Sequence, residues 1–304
     1  MGRGAGGLGE SPWLLAIRPK TLPAALAPVI VAGAYAIARG EARPLPLIVA
    51  LLCALLIQIA SNLANDLFDF RKGADTEART GPVRVVQAGL ISQRGVLGGL
   101  ALVIGLAAVF GLYLVWVGGV PILVIGVLSL ICAVLYTGGP FPIGYLGLGE
   151  LFVFVFFGPV ATFGTVLVAT GRLDPVGALL GVPLGLLCAN ILVVNNVRDV
   201  ETDAVARKQT LAVRFGRGFG VGMYRASLIG AGIATFAVAF AVRSPWPLLS
   251  LVALPAGRAL LGALVRERGP VLNPILGRTA QLELRYAIGL ALSLLLMPLF
   301  HKFL

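Results

Sequence analysis

The sequence predicts an all-α, polytopic membrane protein, and three observations carry that prediction. Of 304 residues, 58% are hydrophobic and only 12% are charged, with a mean hydropathy of +0.97. That balance lies well outside the usual soluble range. Apolar runs recur that approach the roughly 20 helical residues needed to cross a bilayer. Glycine is abundant at 40 residues, and small residues let membrane helices approach closely. Gly181 and Gly185 form one small-xxx-small pair.

Nine such runs follow one another, near residues 13–38, 45–67, 95–116, 119–137, 146–170, 175–197, 218–242, 246–264 and 283–302. They predict nine transmembrane helices around one central cavity, with residues 1–304 as a single membrane domain and 1–12 as a disordered cytoplasmic tail. Gly-Gly, Pro and charged residues mark most breaks. The fourth and fifth runs are parted by Tyr136-Thr-Gly-Gly-Pro-Phe-Pro-Ile-Gly-Tyr145, which cannot continue as a regular helix. The first run contains Pro19, Pro23 and Pro28 and has no convincing cleavage site, so it reads as a retained helix and not a signal peptide.

Charge adds a direction. The net charge is +11 with a pI near 10.3. In a soluble chain that would point to nucleic acid, but aromatic-basic interleaving is absent and the positive-inside bias explains it. With the N-terminus inside, the outer segments hold Arg39, Arg43, Arg172, Arg243 and Lys302, and the other 19 of 24 Lys and Arg fall on the inner side. Cys53, Cys132 and Cys188 lie in separate apolar stretches without a CxxC or Cys/His pair, which argues against zinc. The single histidine, His301, reads as an interfacial residue.

Five of the six aspartates fall in two short segments, each closing an apolar run. The first holds Asn62, Asn65, Asp66, Asp69, Arg71, Lys72, Gly73 and Asp75. The second holds Asn195, Asn196, Arg198, Asp199 and Asp203. Offsets of 3, 4 and 7 from Asn62 put the first set on one helical face, and Gly73 ends that helix. A charge at the centre of a membrane helix costs about 2.5–3.5 kcal/mol on insertion scales, so clustered carboxylates imply use. Their natural partner is a divalent cation carrying a polyphosphate. Lys72, Arg79, Arg84, Arg198, Arg207, Lys208 and Arg214 flank them, and such bases clamp phosphate oxygens. The segments lie 133 residues apart, each at the inner end of an even-numbered run, a weak internal repeat. Together these features point to a membrane enzyme acting on a diphosphate. A divalent-cation transporter is the rival of another class, but it has no need of basic loops beside the acids.

At these motifs the chain resembles a known family. Asn65-Asp66-x-x-Asp69 with Asp75, and Asp199-x-x-x-Asp203, are similar to the two aspartate signatures of the UbiA superfamily of intramembrane aromatic prenyltransferases. Trp13 with Ile17-Arg18-Pro19-Lys20-Thr21-Leu22-Pro23, Gly73-Ala-Asp75-Thr-Glu77, Gly81-Pro82-Val-Arg84, Tyr136-Thr-Gly-Gly-Pro140 leading to Gly147-Leu-Gly149-Glu150, and Lys208-x-Thr210-Leu-Ala-Val-Arg214 resemble the branch acting on 1,4-dihydroxy-2-naphthoate in menaquinone synthesis. One departure is Arg207, where the family usually has glycine.

The resemblance implies transfer of a polyprenyl group from polyprenyl diphosphate to 1,4-dihydroxy-2-naphthoate with decarboxylation, giving demethylmenaquinol. 4-Hydroxybenzoate is the alternative acceptor within the superfamily. It implies Mg2+ on Asp66, Asp69, Asp75, Asp199 and Asp203, with Asp66, Asp69, Asp199 and Asp203 catalytic. Diphosphate would meet Asn62, Asn65, Lys72, Arg79, Arg84, Asn195, Arg198 and Lys208. Arg18, Lys20, Tyr136 and Glu150 would face the acceptor, and Phe152 and Phe156 the prenyl chain. It further implies a plasma-membrane location with the active site opening to the cytoplasm, short cap helices in both loops, and no nucleic-acid partner. Prenyl length and oligomeric state are left open by the sequence.

Overall fold

The computed structural model describes residues 11–74 and 81–300; within them the chain is helical and contains no strand. Residues 1–10, Asp75, Arg79 and His301 lie outside the described residues. Helix α1 (Pro12–Ile17) leads through a 3-10 turn, Pro19–Thr21, to α2 (Pro23–Ala38). Then follow α3 (Pro44–Arg71), α4 (Gln93–Leu135), α5 (Gly149–Val155) and α6 (Ala161–Thr170). The second half holds α7 (Pro175–Arg198), α8 (Val200–Val205), α9 (Leu211–Phe215), α10 (Arg217–Ala241), α11 (Pro255–Arg266), α12 (Asn273–Leu295) and α13 (Met297–Phe300).

Among the described residues, six helical segments are long and apolar enough to cross a membrane, or seven if the bent pair Pro12–Thr21 and Pro23–Ala38 counts as one span. The chain is thus a multi-pass membrane protein, but the expected count of nine is not reproduced, for three physical reasons. The expected third and fourth spans are the two arms of α4, whose 43 residues would extend about 65 Å at 1.5 Å per residue, twice a hydrocarbon core. Gly119, at φ 69° and ψ −156°, and Pro121 kink it, Pro by removing a ladder donor and crowding the preceding turn. The first expected span bends by 50° between Thr21 and Pro23. The last begins at Asn273, ten residues earlier than expected, and so takes Arg278, Glu283 and Arg285 into the helix; both arginines are exposed and Glu283 is fully buried.

Small residues set the packing. Ala24, Ala27, Ala32 and Ala36 bury α2 against α6 and α12. Gly181 and Gly185 of α7 meet Gly158, and a Cβ on Gly181 would lie 2.4 Å from the Gly158 carbonyl carbon. At that point residues 156–160 widen into a π-turn around Gly158 and Pro159, joining α5 to α6 and bringing their backbone onto α7. The inner ends of α3 and α7 therefore stand across one cavity, with the segments after α3, α4 and α7 around its mouth.

Candidate functional site

A cavity of about 220 Å³ is lined by Asn62, Asn65 and Asp69 from α3 and by Asn195, Asn196 and Asp199 from the end of α7. Asp203 of α8, Lys208, Arg18, Arg84, Tyr136 and Tyr145 complete its wall. The two aspartate segments therefore do converge.

Asp69 is 1% exposed and gathers partners distant in sequence. Arg84 Nη2 donates to Oδ2 at 3.0 Å, the Tyr145 hydroxyl donates to Oδ1 at 2.9 Å, and Lys208 Nζ lies 3.3 Å from Oδ1. The Tyr145 ring also lies beneath the ammonium groups of Lys72 and Lys208, at 4.9 and 4.8 Å, a cation–π arrangement. Lys72 Nζ donates to the Gly139 carbonyl at 3.1 Å. Partial burial holds the Lys72 ammonium below its ordinary pKa, with Asp69 opposing that shift and Lys208 adding to it. Asn65 Oδ1 accepts from Thr137 at 2.9 Å.

The second segment is built around Arg198. The Arg198 side chain is fully buried and forks onto its neighbour Asp199, Nε to Oδ1 at 2.7 Å and Nη2 to Oδ2 at 2.5 Å. Its remaining donors reach Asn195 Oδ1 at 2.7 Å and Asn273 Oδ1 at 2.8 Å. Such a planar fork is geometry only arginine supplies. Asn196 Nδ2 donates to Glu150 Oε1 at 2.9 Å, so Glu150 stands behind Asn196 and turns its amide oxygen. Burial pushes the Tyr136 phenol up, and the charges of Glu150, Asp69 and Asp203 push it further, so it stays a protonated donor.

Arg207, in place of the family's glycine, has φ 56°. This left-handed conformation costs a non-glycine residue about 1–2 kcal/mol. It delivers Lys208 to Asp69, helped by a hydrogen bond from the Gln209 amide to the Tyr145 carbonyl at 2.9 Å.

Several expected residues sit elsewhere. Asp66 does not line the cavity. It is completely buried and accepts from the amides of Val85 (3.1 Å) and Val86 (3.0 Å). Asp66 and Asp69 are three residues apart, so their side chains leave α3 about 60° apart. Asn62 lines the cavity, but its amide donors reach Ile17 O (2.8 Å) and Thr21 Oγ1 (3.0 Å), fixing the segment that carries Arg18. Arg198 and Glu150 are buried behind the lining, whereas Lys72 and Lys20 are exposed and do not line it. Tyr145, Thr137 and Asn273 were not singled out by the sequence. Tyr145 ends the Pro/Gly-rich turn between two apolar runs, where a lone polar aromatic was the available signal.

A second cavity, about 360 Å³ and almost wholly apolar, is lined by residues of α2–α6 that include Phe152, Phe156, Gly111 and Gly126. Phe152 and Phe156 stack at 5.7 Å. Gln58, Tyr136, Val153 and Phe157 line both cavities, so the two chambers share a seam.

A helical membrane bundle that joins a carboxylate- and base-lined chamber to an apolar one defines a protein handling an anionic amphiphile at the membrane. The chain belongs to the UbiA prenyltransferase family, whose model matches residues 25–272. It is 39% identical over 280 residues to the 1,4-dihydroxy-2-naphthoate octaprenyltransferase of Mycobacterium tuberculosis, covering 92% of this chain and 95% of that one. The Escherichia coli protein of the same name is 38% identical, with the same coverages. In fold it is similar to a UbiA homolog from Archaeoglobus fulgidus bound to DMAPP and Mg2+, with a TM-score of 0.65 at 17% identity, covering 92% of this chain and 99% of that one.

Proposed function

We propose that this protein transfers a polyprenyl group from polyprenyl diphosphate to 1,4-dihydroxy-2-naphthoate, with loss of carbon dioxide, giving demethylmenaquinol. The observation that carries the reading is the pair of joined chambers. One holds Asp69, Asp199, Asp203, Arg84 and Lys208, suited to a metal-bound diphosphate; the other is apolar and suited to a prenyl chain. The acceptor assignment draws on relatives named for that substrate.

The donor set fits Mg2+. It consists of carboxylate and amide oxygens on opposite walls, and no group of three or more His, Cys, Asp or Glu close enough to hold a metal occurs among the described residues. That favours ions held by one or two carboxylates plus substrate phosphates over an all-protein cage. Asp69, Asp199 and Asp203 would hold them, with Asp75 from the segment outside the described residues. When bound, Mg2+ supplies Lewis-acid neutralisation of the charge on the departing diphosphate.

The chain's own residues do the rest. Arg84, Lys208 and Arg18 offer cationic donors to phosphate oxygens, an electrostatic aid preorganised by their pairing around Asp66 and Asp69. Tyr136, a protonated donor at the seam, meets the oxygen that leaves the allylic carbon. The carbon–oxygen bond breaks with its electron pair passing to the diphosphate, and the electron-rich naphthoate ring forms the new carbon–carbon bond. The ring–carboxyl bond breaks with its electron pair returning to the ring, so that carbon dioxide and a proton leave and aromaticity is restored. Phe157, on the seam, and the Phe152–Phe156 stack present apolar faces that exclude water from the developing cation.

We place the protein in the plasma membrane with the polar chamber opening to the cytoplasm, following the Lys/Arg asymmetry of the sequence. The test is purified protein with 1,4-dihydroxy-2-naphthoate, a long-chain prenyl diphosphate and Mg2+, with 4-hydroxybenzoate as competitor and products identified by mass. A decarboxylated prenyl-naphthoquinone, lost without Mg2+ and in Asp199→Ala, is the expected result. Product with 4-hydroxybenzoate alone would overturn the acceptor assignment.

A further inference from the structure

Asp66 belongs to the motif read as a metal signature, yet unlike Asp69 and Asp199, whose carboxylates are also paired, it does not line the cavity, and its carboxylate is committed to the backbone of another segment. Residues 84–91 form a tight turn: the Ala88 amide donates to the Arg84 carbonyl, Gly89 to Val86, and both Leu90 and Ile91 to Val85. The opening amides of such a turn have no partner inside it. Asp66 supplies that partner across the fold, Oδ2 accepting from Val85 N at 3.1 Å and Oδ1 from Val86 N at 3.0 Å. Val85 (0% exposed) and Val86 (6%) pack with Ala60, Leu63, Ala64 and Leu67 of α3. Arg84, next in sequence, is thereby aimed at Asp69. The Arg18 guanidinium also comes within 3.7 Å of Asp66 Oδ2, and Arg18 itself has φ 54°.

We infer that Asp66 is a positioning residue and not a metal ligand: it anchors the 84–91 turn to α3 and so sets Arg84, and with it the diphosphate pocket. The inference rests on the diphosphate reading of the cavity. Two adjacent aspartate positions of one motif then have separate tasks. Asp69 faces the substrate, and Asp66 holds the segment that supplies the substrate's cation. An amide in place of the Asp66 carboxylate keeps one acceptor and loses the charge and the second acceptor, so the turn loosens without removal of any group that touches substrate.

The test compares Asp66→Asn with Asp69→Asn in the full-length protein in lipid nanodiscs. Three quantities are read: hydrogen exchange at the Val85 and Val86 amides, Mn2+ bound in the presence of an unreactive thiolo-diphosphate prenyl analogue, and the split between KM and kcat. Expected for Asp66→Asn is exchange at those two amides faster by about tenfold, the size of one lost hydrogen bond to a charged group. KM for the prenyl diphosphate should rise by a similar factor, with kcat within about twofold and Mn2+ stoichiometry unchanged. Loss of Mn2+ equal to that of Asp69→Asn would overturn the inference, as would unchanged exchange at Val85 and Val86. If Asp69→Asn also leaves Mn2+ unchanged, the metal reading of the cavity fails, while the exchange data still decide for or against the anchor. Should Asp66→Asn not fold, Val86→Pro removes one donor and leaves every candidate ligand in place. The same rise in KM supports the anchor, and an unchanged KM sinks it.

Discussion

The two aspartate segments look like copies in the sequence and behave differently in the fold. Asp69 draws its partners from three other parts of the chain, Arg84, Tyr145 and Lys208. Asp199 is gripped by the residue beside it, and that arginine is steadied by Asn195 one turn earlier and by Asn273 at the start of α12. One carboxylate is a meeting point that closes the cavity. The other is a prefabricated unit attached to α7. Symmetry in the motif therefore does not carry over to symmetry in energetics: the first segment depends on tertiary assembly, the second mostly on its own helix end.

The sharpest way to break that comparison is a pair of truncations. Asp69→Ala strips Arg84, Tyr145 and Lys208 of a shared acceptor. It should destabilise by about 3–5 kcal/mol, as expected when one partner of a buried ion pair is lost, and lower turnover by about 10²–10³-fold. Asp199→Ala should lower turnover similarly and destabilise at the low end of that range, about 3 kcal/mol, because the buried Arg198 loses its carboxylate but keeps Asn195 and Asn273. Thermal unfolding beside product mass analysis reads both; equal destabilisation would erase the distinction. Next, Arg198→Lys should fail to rescue, losing about 2–4 kcal/mol although the charge is kept, since an ammonium cannot fork onto Asp199 while reaching Asn195 and Asn273. Tyr145→Phe keeps the ring under both lysines and removes one hydrogen bond to Asp69. A decrease of about tenfold in kcat/KM is expected, and no change would take Tyr145 out of the meeting point.

The mildest effects concern the basic flank. Because burial lowers the Lys72 pKa, its charge is disfavoured in the folded protein. The resulting penalty is present in full below the lowered folded value and is relieved as pH rises from that value to the unfolded one. If Lys72 assists diphosphate binding, it loses its proton before an ordinary lysine would, so the alkaline limb of kcat/KM should move to higher pH in Lys72→Arg. Arg207→Gly should raise stability by about 0.5–1 kcal/mol, the relief of a left-handed arginine less the extra freedom of glycine when unfolded, with turnover unchanged.

The sequence made the membrane class legible, because hydropathy is a bulk property, and it placed both aspartate segments at helix ends. Spacing put Asn65 with Asp69 and Asn195 with Asp199 on polar helical faces that could converge, and the fold brings them onto one cavity. The count of nine is not confirmed: two of the expected spans are the arms of one helix kinked at Gly119, and α12 carries Arg278, Glu283 and Arg285 within its length. The split between Asp66 and Asp69 was not legible: the spacing rule groups residues on a broad face and does not distinguish two side chains about 60° apart. Tyr145, Thr137 and Asn273 stayed hidden because their partners lie 76, 72 and 75 residues away, and nothing local marks such pairings. Arg207 stood out in the sequence against the resemblance, and its positive φ shows that this position adopts a left-handed conformation of the kind glycine takes freely.

Gln58, Tyr136, Val153 and Phe157 border both chambers, and on the proposed reaction the breaking bond would lie at that border. A carbocation formed there would be open to capture by the aromatic acceptor or by stray water. Damage there would register less in how fast diphosphate is released than in where the prenyl group ends up. A smaller residue at Phe157 would divert turnover from prenylated ring to free prenyl alcohol, so the ratio of those products gauges how well the seam is closed.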